Sequence, residues 1–525
     1  MTNVRKILED RVRRDADKAF LRFANWSFTY TEFDEQVNRV ANALYELGVR
    51  KGEHIGGLMH NCLEWFILYF AAIKLGAITV FVNTQYDSEL LQHSLGFSDC
   101  RVIILSASLA RKYQSVRAGL KGIRLEIIHQ DDPSIDPGIV EGMIPFGQLY
   151  TGSSKPPPDA GIEAKDPVHF FYTSGTTGLP KPCIVSHHYM IALCDHIAGE
   201  AGMTEKDTLF ALLPNYHINV YIGVMTALIV GSRLALEARF SASRYWDWVR
   251  HYGASVLMLH ITPMNILLKQ PPKPDDAVNP ARVGIFLVGA GGREFLRRFG
   301  LQRGLAMYGS TEAGGFCTMS SYPPDSTHDP RFAGKARDDM EVKIFDEHDR
   351  EVPYGQPGEI VIRDRLPHAM FDGYYKMPEK TADACRGFWF RSGDRGYMDE
   401  RGNLFFMERL GESIRVKGDF VPVDRLEECV RAHPKVFQCA AVGVPSDLGE
   451  EDIKLYVQVH PGVKALPEEI VHHCRQHLAP FMVPRYLEFV EEFPLATGVM
   501  KIQKAKLKKK GIGNAWDRLK SQQAP

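Results

Sequence analysis

From Tyr30 onward the chain alternates segments of helical period with short β-branched and apolar runs, and this alternation narrows the fold more than any other feature. TEFDEQVNRVANALYELG repeats its apolar side chains at helical spacing and stops at Gly48; EHIGGLMH reads as a short strand. EWFILYFAAIKLG is a second helix, closed by Gly76, and AITVFVN a second strand. Helix and strand in succession predict an α/β fold with largely parallel sheets and crossover helices. GSSKPPPD (152–159), PPKPDD (271–276) and YPPDSTHDP (322–330) read as surface loops. After about Arg337 the texture changes to short strands with turn signals (EVKIFDEHDREV, GEIVIRD, GNLFFMERL), a β-rich subdomain. From Gly411 a smaller α+β unit follows, with helices VDRLEECVRAH and PEEIVHHCRQHL and strands CAAVGV, IKLYVQVH and RYLEFVEE. The expected organisation is a large N-terminal region of parallel αβ layers plus the β-rich subdomain, residues 1–410, and a small C-terminal domain, residues 411–525.

Composition excludes several classes of function. Lys+Arg 63 against Asp+Glu 64 leaves a net charge of -1, so no overall field draws the chain to nucleic acid or an anionic membrane. The longest apolar runs, Trp65–Ile73 and Val220–Val230, fall far short of the roughly 20 residues that span a bilayer. The first residues mix both charge signs without the apolar core of an export signal. Nine cysteines, odd in number and without a C-x-x-C pair, fit neither a disulfide framework nor a zinc site by spacing. A reducing, cytoplasmic compartment is expected.

The most informative segment is VHFFYTSGTTGLPK, residues 168–181. An apolar strand runs into a loop carrying four hydroxyls (Thr173, Ser174, Thr176, Thr177), two glycines (Gly175, Gly178) and a closing Lys181. Backbone N–H groups, hydroxyls and one ammonium together make a phosphate cradle. The P-loop pattern G-x-x-x-x-G-K-[ST] is absent, so the chain lacks the mark of that ATPase class.

This loop resembles the phosphate-loop signature T-S-G-T-T-G-x-P-K of the adenylate-forming superfamily, which includes acyl-CoA synthetases, peptide-synthetase adenylation domains and beetle luciferases. The superfamily's other signatures follow in its order: Tyr308-Gly309-Ser310-Thr311-Glu312 matches Y-G-x-T-E, Ser392-Gly393-Asp394 matches [ST]-G-D, and Arg409 matches the arginine before the domain hinge. The resemblance extends from about Phe28 to near Leu507. LLPNYHINV, RFGLQRGLAMYGSTEAG and RVKGDFVPVDRLEECVRAHPKV are most similar to the crotonobetaine/carnitine and medium-chain acyl-CoA ligases.

The resemblance implies a two-step ligase in which a carboxylate attacks the α-phosphorus of ATP, pyrophosphate leaves, and CoA then takes the acyl group from the adenylate. It implies that residues 173–181 hold the β- and γ-phosphates and that Glu312 holds Mg2+ as a hard oxygen ligand. Gly289, Ala290 and Gly291 would form the wall against adenine, Tyr308 would supply the opposing aromatic face, and Asp394 and Arg409 would reach the ribose and phosphate. Tyr216, His217, Val220, Gly291, Gly314 and Gly315 are the expected acyl-pocket residues, with His217 as its gate and the glycines leaving room for a wide acid. Rotation of a mobile C-terminal domain about the hinge position, Gly411, would bring up a pantetheine tunnel face with Arg415, Lys417 and Gly418. Lys501 is the candidate catalytic lysine; no base for the CoA thiol emerges.

Three positions depart from the pattern. Gly411 replaces the usual Asp or Lys, Pro182 follows Lys181 where Gly is usual and pushes Lys181 toward extended backbone, and Pro494-Leu495-Ala496-Thr497-Gly498-Val499-Met500-Lys501 carries an extra residue and bulky side chains before the lysine. Weakened adenylation is therefore expected, and three alternatives stay open: thioesterification of an adenylate supplied by a second ligase, loading of a carrier protein, and a catalytically silent nucleotide-binding module.

Overall fold

The computed structural model describes residues 2–173, 179–212, 214–285, 289–327, 329–409, 414–447, 449–496, 499–502 and 504–521. Among them the chain divides into two compact units, one of residues 1–84, 92–172 and 182–408, the other of residues 85–91, 173–181 and 409–525.

Two sheets organise the first unit. One runs in the order Ile144–Pro145, Leu125–His129, Val102–Ser106, His54–Leu58, Ile78–Phe81, Pro167–Thr173, Lys181–Ser186, and its first five strand pairings are parallel. The other begins at the edge strand Trp26–Thr29, paired antiparallel to Ala19–Phe23, and continues in parallel through Arg233–Leu236, Thr208–Ala211, Val256–Met258, Val283–Ile285 and Arg303–Tyr308. At Arg303–Tyr308 it turns antiparallel, through Thr318–Tyr322 and Phe332–Ala336, and runs on to Asn403–Arg409, Phe390–Met398, Gly358–Asp364 and Met340–Phe345. The change begins at Thr318–Tyr322, ahead of the β-rich texture that the sequence shows after about Arg337.

The helices between strands form for local reasons that the sequence shows. Helix Tyr30–Glu46 opens on a capping box in which Thr29 and Glu32 satisfy each other's backbone N–H. Helix Leu63–Leu75 ends on Gly76, whose φ of 67° is the left-handed cap that a side chain would strain. That helix and Ile218–Val230 are apolar on nearly every face and correspondingly buried. With helices Tyr30–Glu46 and His187–Ala201 they share one hydrophobic cluster with strands of both sheets, including Ile55 and Val102 from one and Leu209, Leu234 and Val283 from the other.

GSSKPPPD is a loop, but it does not lie wholly at the surface. Gly152 is buried against the backbone of Arg39 and Ala43, Pro157 is buried too, and Arg5 donates to the Pro157 and Pro158 carbonyls while Asn42 donates to those of Ser153 and Lys155. A chain rich in proline lacks donors, and these side chains meet its carbonyls.

The second unit carries a four-stranded sheet in the order Val436–Pro445, Glu451–Val459, Tyr486–Phe489, Trp516–Asp517, with helices Val423–Arg431 and Pro467–His477. Two hairpins complete it, Ile414–Val416 with Asp419–Val421 and Leu495–Ala496 with Val499–Ile502. No described helix is long and apolar enough to cross a membrane.

Candidate active site

Four neighbouring parallel strands deliver the first unit's chemistry at their carboxyl ends. Thr208–Ala211 leads to Tyr216 and His217, Val256–Met258 to His260, Val283–Ile285 to Gly289, and Arg303–Tyr308 to the Tyr308–Glu312 motif. Open α/β sheets bind ligands at this edge.

Tyr308 and Asp394, 86 residues apart, meet directly: the Tyr308 hydroxyl donates to Asp394 Oδ2 at 2.8 Å. Burial, with the Asp394 charge adding to it, pushes the Tyr308 phenol well above its ordinary range, so it remains a donor. Its ring stacks on Phe406 at 5.9 Å. The Asp394 backbone N–H is held by Ser392 Oγ at 3.0 Å, and that hydroxyl donates in turn to the Ile360 carbonyl at 2.6 Å. Both serine and aspartate of the [ST]-G-D motif are thereby fixed.

Glu312 is buried, and its Oε1 accepts from the Tyr374 hydroxyl at 2.9 Å. The preceding peptide is tied down by Tyr189, whose hydroxyl donates to the Thr311 carbonyl at 2.8 Å. Gly309 has no alternative, since a Cβ there would stand 2.3 Å from the Gly315 carbonyl oxygen. Ser310 accepts from the Ala313 N–H, closing the turn that carries Thr311 and Glu312.

Arg337, paired with Asp339 and outside the motifs, holds two carbonyls of the segment that follows. Arg337 donates to the Gly314 and Phe316 carbonyls at 2.9 and 3.0 Å and makes a two-pronged pair with Asp339, both residues buried. Gly314 and Gly315 both have positive φ, 72° and 75°. A Cβ on Gly314 would fall 2.4 Å from Met340 Cε, and one on Gly315 2.4 Å from Leu193 Cδ2. A side chain at either position would meet protein packing and a strained backbone.

His217 caps helix Ile218–Val230 with its backbone in extended conformation, and its ring lies 5.0 Å from that of Tyr216. Val220, in the first turn, is buried. Gly223 lets the helix approach Met258 and Leu209 closely. Asn219, also in the first turn, is hydrogen-bonded to His260 Nε2. Gly291 faces Asn265 Oδ1 and Met264 Cε, each 3.2 Å from where its Cβ would stand. The segment His260–Asn265 therefore touches both the His217 helix and the Gly289 segment. Sequence reasoning passed over it, although its position after strand Val256–Met258 was a usable signal.

Gly289 and Ala290 lie in the first turn of helix Gly289–Phe299, so the glycine-rich run opens a helix. Strand Pro167–Thr173 leads into the phosphate-loop motif. It is anchored by His169, whose Nδ1 lies 2.5 Å from Thr79 Oγ1 and whose imidazole is held neutral by complete burial. Lys181 starts strand Lys181–Ser186, extended as its following proline requires. Ser174, Gly175, Thr176, Thr177, Gly178 and the hinge candidate Gly411 lie outside the described residues. So do the side chains of Arg409 and Lys501; their backbones belong to strands Asn403–Arg409 and Val499–Ile502.

In the second unit, Arg415, Lys417 and Gly418 form a tight hairpin. Lys417 and Gly418 have φ of 52° and 91°, the pair of positive values a two-residue hairpin turn demands. The Gly418 N–H donates to Glu450 Oε2 at 2.7 Å, and Arg415 Nε stands 3.7 Å from Glu450 Oε1. Lys417 is exposed at the tip.

Comparison with known proteins agrees with these motifs. Residues 8–375 match the family model of the AMP-binding enzymes, and residues 425–500 that of the AMP-binding enzyme C-terminal domain. The chain is 29% identical over 477 residues to the crotonobetaine/carnitine–CoA ligase of Escherichia fergusonii, covering 89% of this chain and 90% of that protein. It is 29% identical over 507 residues to the Salmonella typhi protein of the same name, covering 94% and 96%. Among solved structures it resembles an anthranilate CoA ligase in complex with anthranoyl-AMP (TM-score 0.71, 25% identity, 97% of each chain). It shares its fold with the o-succinylbenzoate CoA synthetase of Bacillus subtilis (TM-score 0.82, 21% identity, 98% of this chain and 100% of that one). With signatures, fold and family models in agreement, the chain belongs to the AMP-binding enzyme family.

Proposed function

We propose that this protein is an AMP-forming acyl-CoA ligase, which joins a carboxylic acid to CoA through an acyl adenylate, and that adenylation is its slower half. The observation that carries the nucleotide-binding part of the reading is the Tyr308–Asp394 hydrogen bond, which brings two distant signatures to one place. Asp394 accepts the ribose hydroxyls there, and the phenol holding its Oδ2 fixes the carboxylate's orientation before nucleotide arrives. Gly289, Ala290, Gly291 and Tyr308 flank the base.

The first step needs positioning and charge neutralisation more than covalent help. Residues 173–178 and Lys181 hold the phosphates, and Arg409 reaches the ribose and phosphate. Glu312 is a buried carboxylate with one oxygen fixed by Tyr374, a hard oxygen donor that suits Mg2+. When bound, that ion neutralises phosphate charge. Lys501 bridges carboxylate and α-phosphate; losing such a charge donor costs on the order of 3 kcal/mol, about a hundredfold in rate. The extra residue and bulk before Lys501 support a slow adenylation.

The acid lies beside Tyr216, His217 and Val220, with His260 and Asn219 adjoining. In the second step the small domain turns about Gly411, and Arg415, Lys417 and Gly418 meet the CoA phosphates. All nine cysteines are free thiols, in keeping with a cytoplasmic setting.

Two starting points test this: acid with ATP and CoA, and synthetic acyl adenylate with CoA, across a panel of acids. Thioester should form from both, faster from the adenylate. Lys501→Ala should stop acid-dependent pyrophosphate release and spare conversion of supplied adenylate. Loss of both activities would remove Lys501 from its role, and equal turnover from both starting points would refute slow adenylation.

A further inference from the structure

We infer that the small unit carries a site for a zinc-class cation between helices Val423–Arg431 and Pro467–His477, built from Cys429, His473 and His477. The Cys429 sulfur and one ring nitrogen from each histidine lie within 4.8 Å of one another. A tetrahedral ion with bonds of about 2.0–2.3 Å sets its ligand atoms roughly 3.3–3.8 Å apart, so side-chain rotation of about an ångström closes the site. His477 is exposed and Cys429 and His473 half-buried, which leaves that rotation open and gives the ion an entry path.

The local chemistry is arranged for it. His473 and His477 stand at i and i+4 on one face of their helix. His473 Nε2 lies 3.0 Å from the Cys429 carbonyl oxygen, and His477 Nδ1 lies 2.8 Å from the His473 carbonyl oxygen. A carbonyl only accepts, so in each neutral ring that nitrogen carries the proton and the other keeps the lone pair. Backbone carbonyls orient metal-binding histidines in this way. Cys474, buried on the same helix, neighbours the Cys429 sulfur. One thiolate and two imidazoles select zinc or a neighbouring transition ion over Mg2+, and three protein ligands leave a fourth position for water.

The cysteine spacing gave no hint of this because the ligands come from two helices some 45 residues apart in the chain. A second group, Cys62, Glu64 and His129, makes a weaker candidate: the Cys62 sulfur already accepts from the Trp65 N–H as a helix cap. The site lies outside every residue assigned to catalysis, and its fate is independent of that assignment.

The full-length chain, freed of metal by chelation and kept reduced, is titrated with Co2+ as probe. The expected result is one equivalent bound with a sulfur-to-cobalt charge-transfer absorption and a higher Tm. Cys429→Ser should abolish the absorption, His477→Gln, an exposed change that does not threaten folding, should weaken Co2+ binding at least about tenfold, and Cys62→Ser should alter neither. Absence of the sulfur–cobalt absorption, its survival in Cys429→Ser, its loss in Cys62→Ser, or unchanged affinity in His477→Gln would each overturn the site.

Discussion

The Tyr308 hydroxyl and the Asp394 carboxylate are joined by a 2.8 Å hydrogen bond across 86 residues of sequence. A hydrogen bond to a charged group contributes about 1.5–3 kcal/mol. If the bond orients Asp394 toward ribose, Tyr308→Phe should lower stability by no more than about 3 kcal/mol and, in the chain that stays folded, raise KM for ATP at least about tenfold. Steady-state kinetics with urea unfolding in parallel checks this, and an unchanged KM would show that Asp394 needs no such support.

Arg337 and Asp339 form a buried pair whose guanidinium also holds the Gly314 and Phe316 carbonyls beside Glu312. Removing one partner strands a buried charge, so Arg337→Met should cost about 3–5 kcal/mol in urea unfolding. The double change Arg337→Met with Asp339→Leu should recover much of that stability. Activity should not recover with it, since the loop has lost its anchor; full recovery of both would reduce the pair to packing.

Burial holds the His187 imidazole down at about 4, against about 6.5 for a free histidine. The unfolded chain therefore takes up a proton here at a higher pH than the folded one. This contribution to stability is complete above about pH 6.5 and is lost as pH falls toward 4, by about 3 kcal/mol in all. His187→Gln should lose less stability than the parent between pH 7 and 4.5, and identical losses would contradict the assignment.

Lys417 occupies a left-handed position at the tip of its hairpin, where asparagine is also at ease. Lys417→Asn should thus keep the turn and remove one charge from the proposed CoA face. The expected outcome is a higher KM for CoA, more so at low salt, with acid-dependent pyrophosphate release unaltered.

Periodicity and turn chemistry made much of the fold legible. The expected helix EWFILYFAAIKLG is Leu63–Leu75 with its Gly76 cap, and GEIVIRD is strand Gly358–Asp364 residue for residue. Both are set locally, by burial pattern and capping. Relationships that tertiary structure makes left no such trace. Tyr374 reaches Glu312 across 62 residues, Asn219 meets His260 across 41, and Arg337 grips two carbonyls of a loop more than 20 residues away. A lone tyrosine, asparagine or arginine carries no period and no motif. For a related reason, sequence shows the missing side chains at Gly314 and Gly315 but not the Met340 and Leu193 side chains packed beside them.

The central claim is that the Tyr308–Asp394 edge of the sheet binds the nucleotide half of an acyl adenylate. Calorimetric titration of the purified chain with AMP and with a sulfamoyl analogue of an acyl adenylate tests it most directly. The account predicts that both bind, the analogue more tightly, and that Asp394→Ala removes most of the affinity for each. Failure of the intact protein to bind either compound would contradict it.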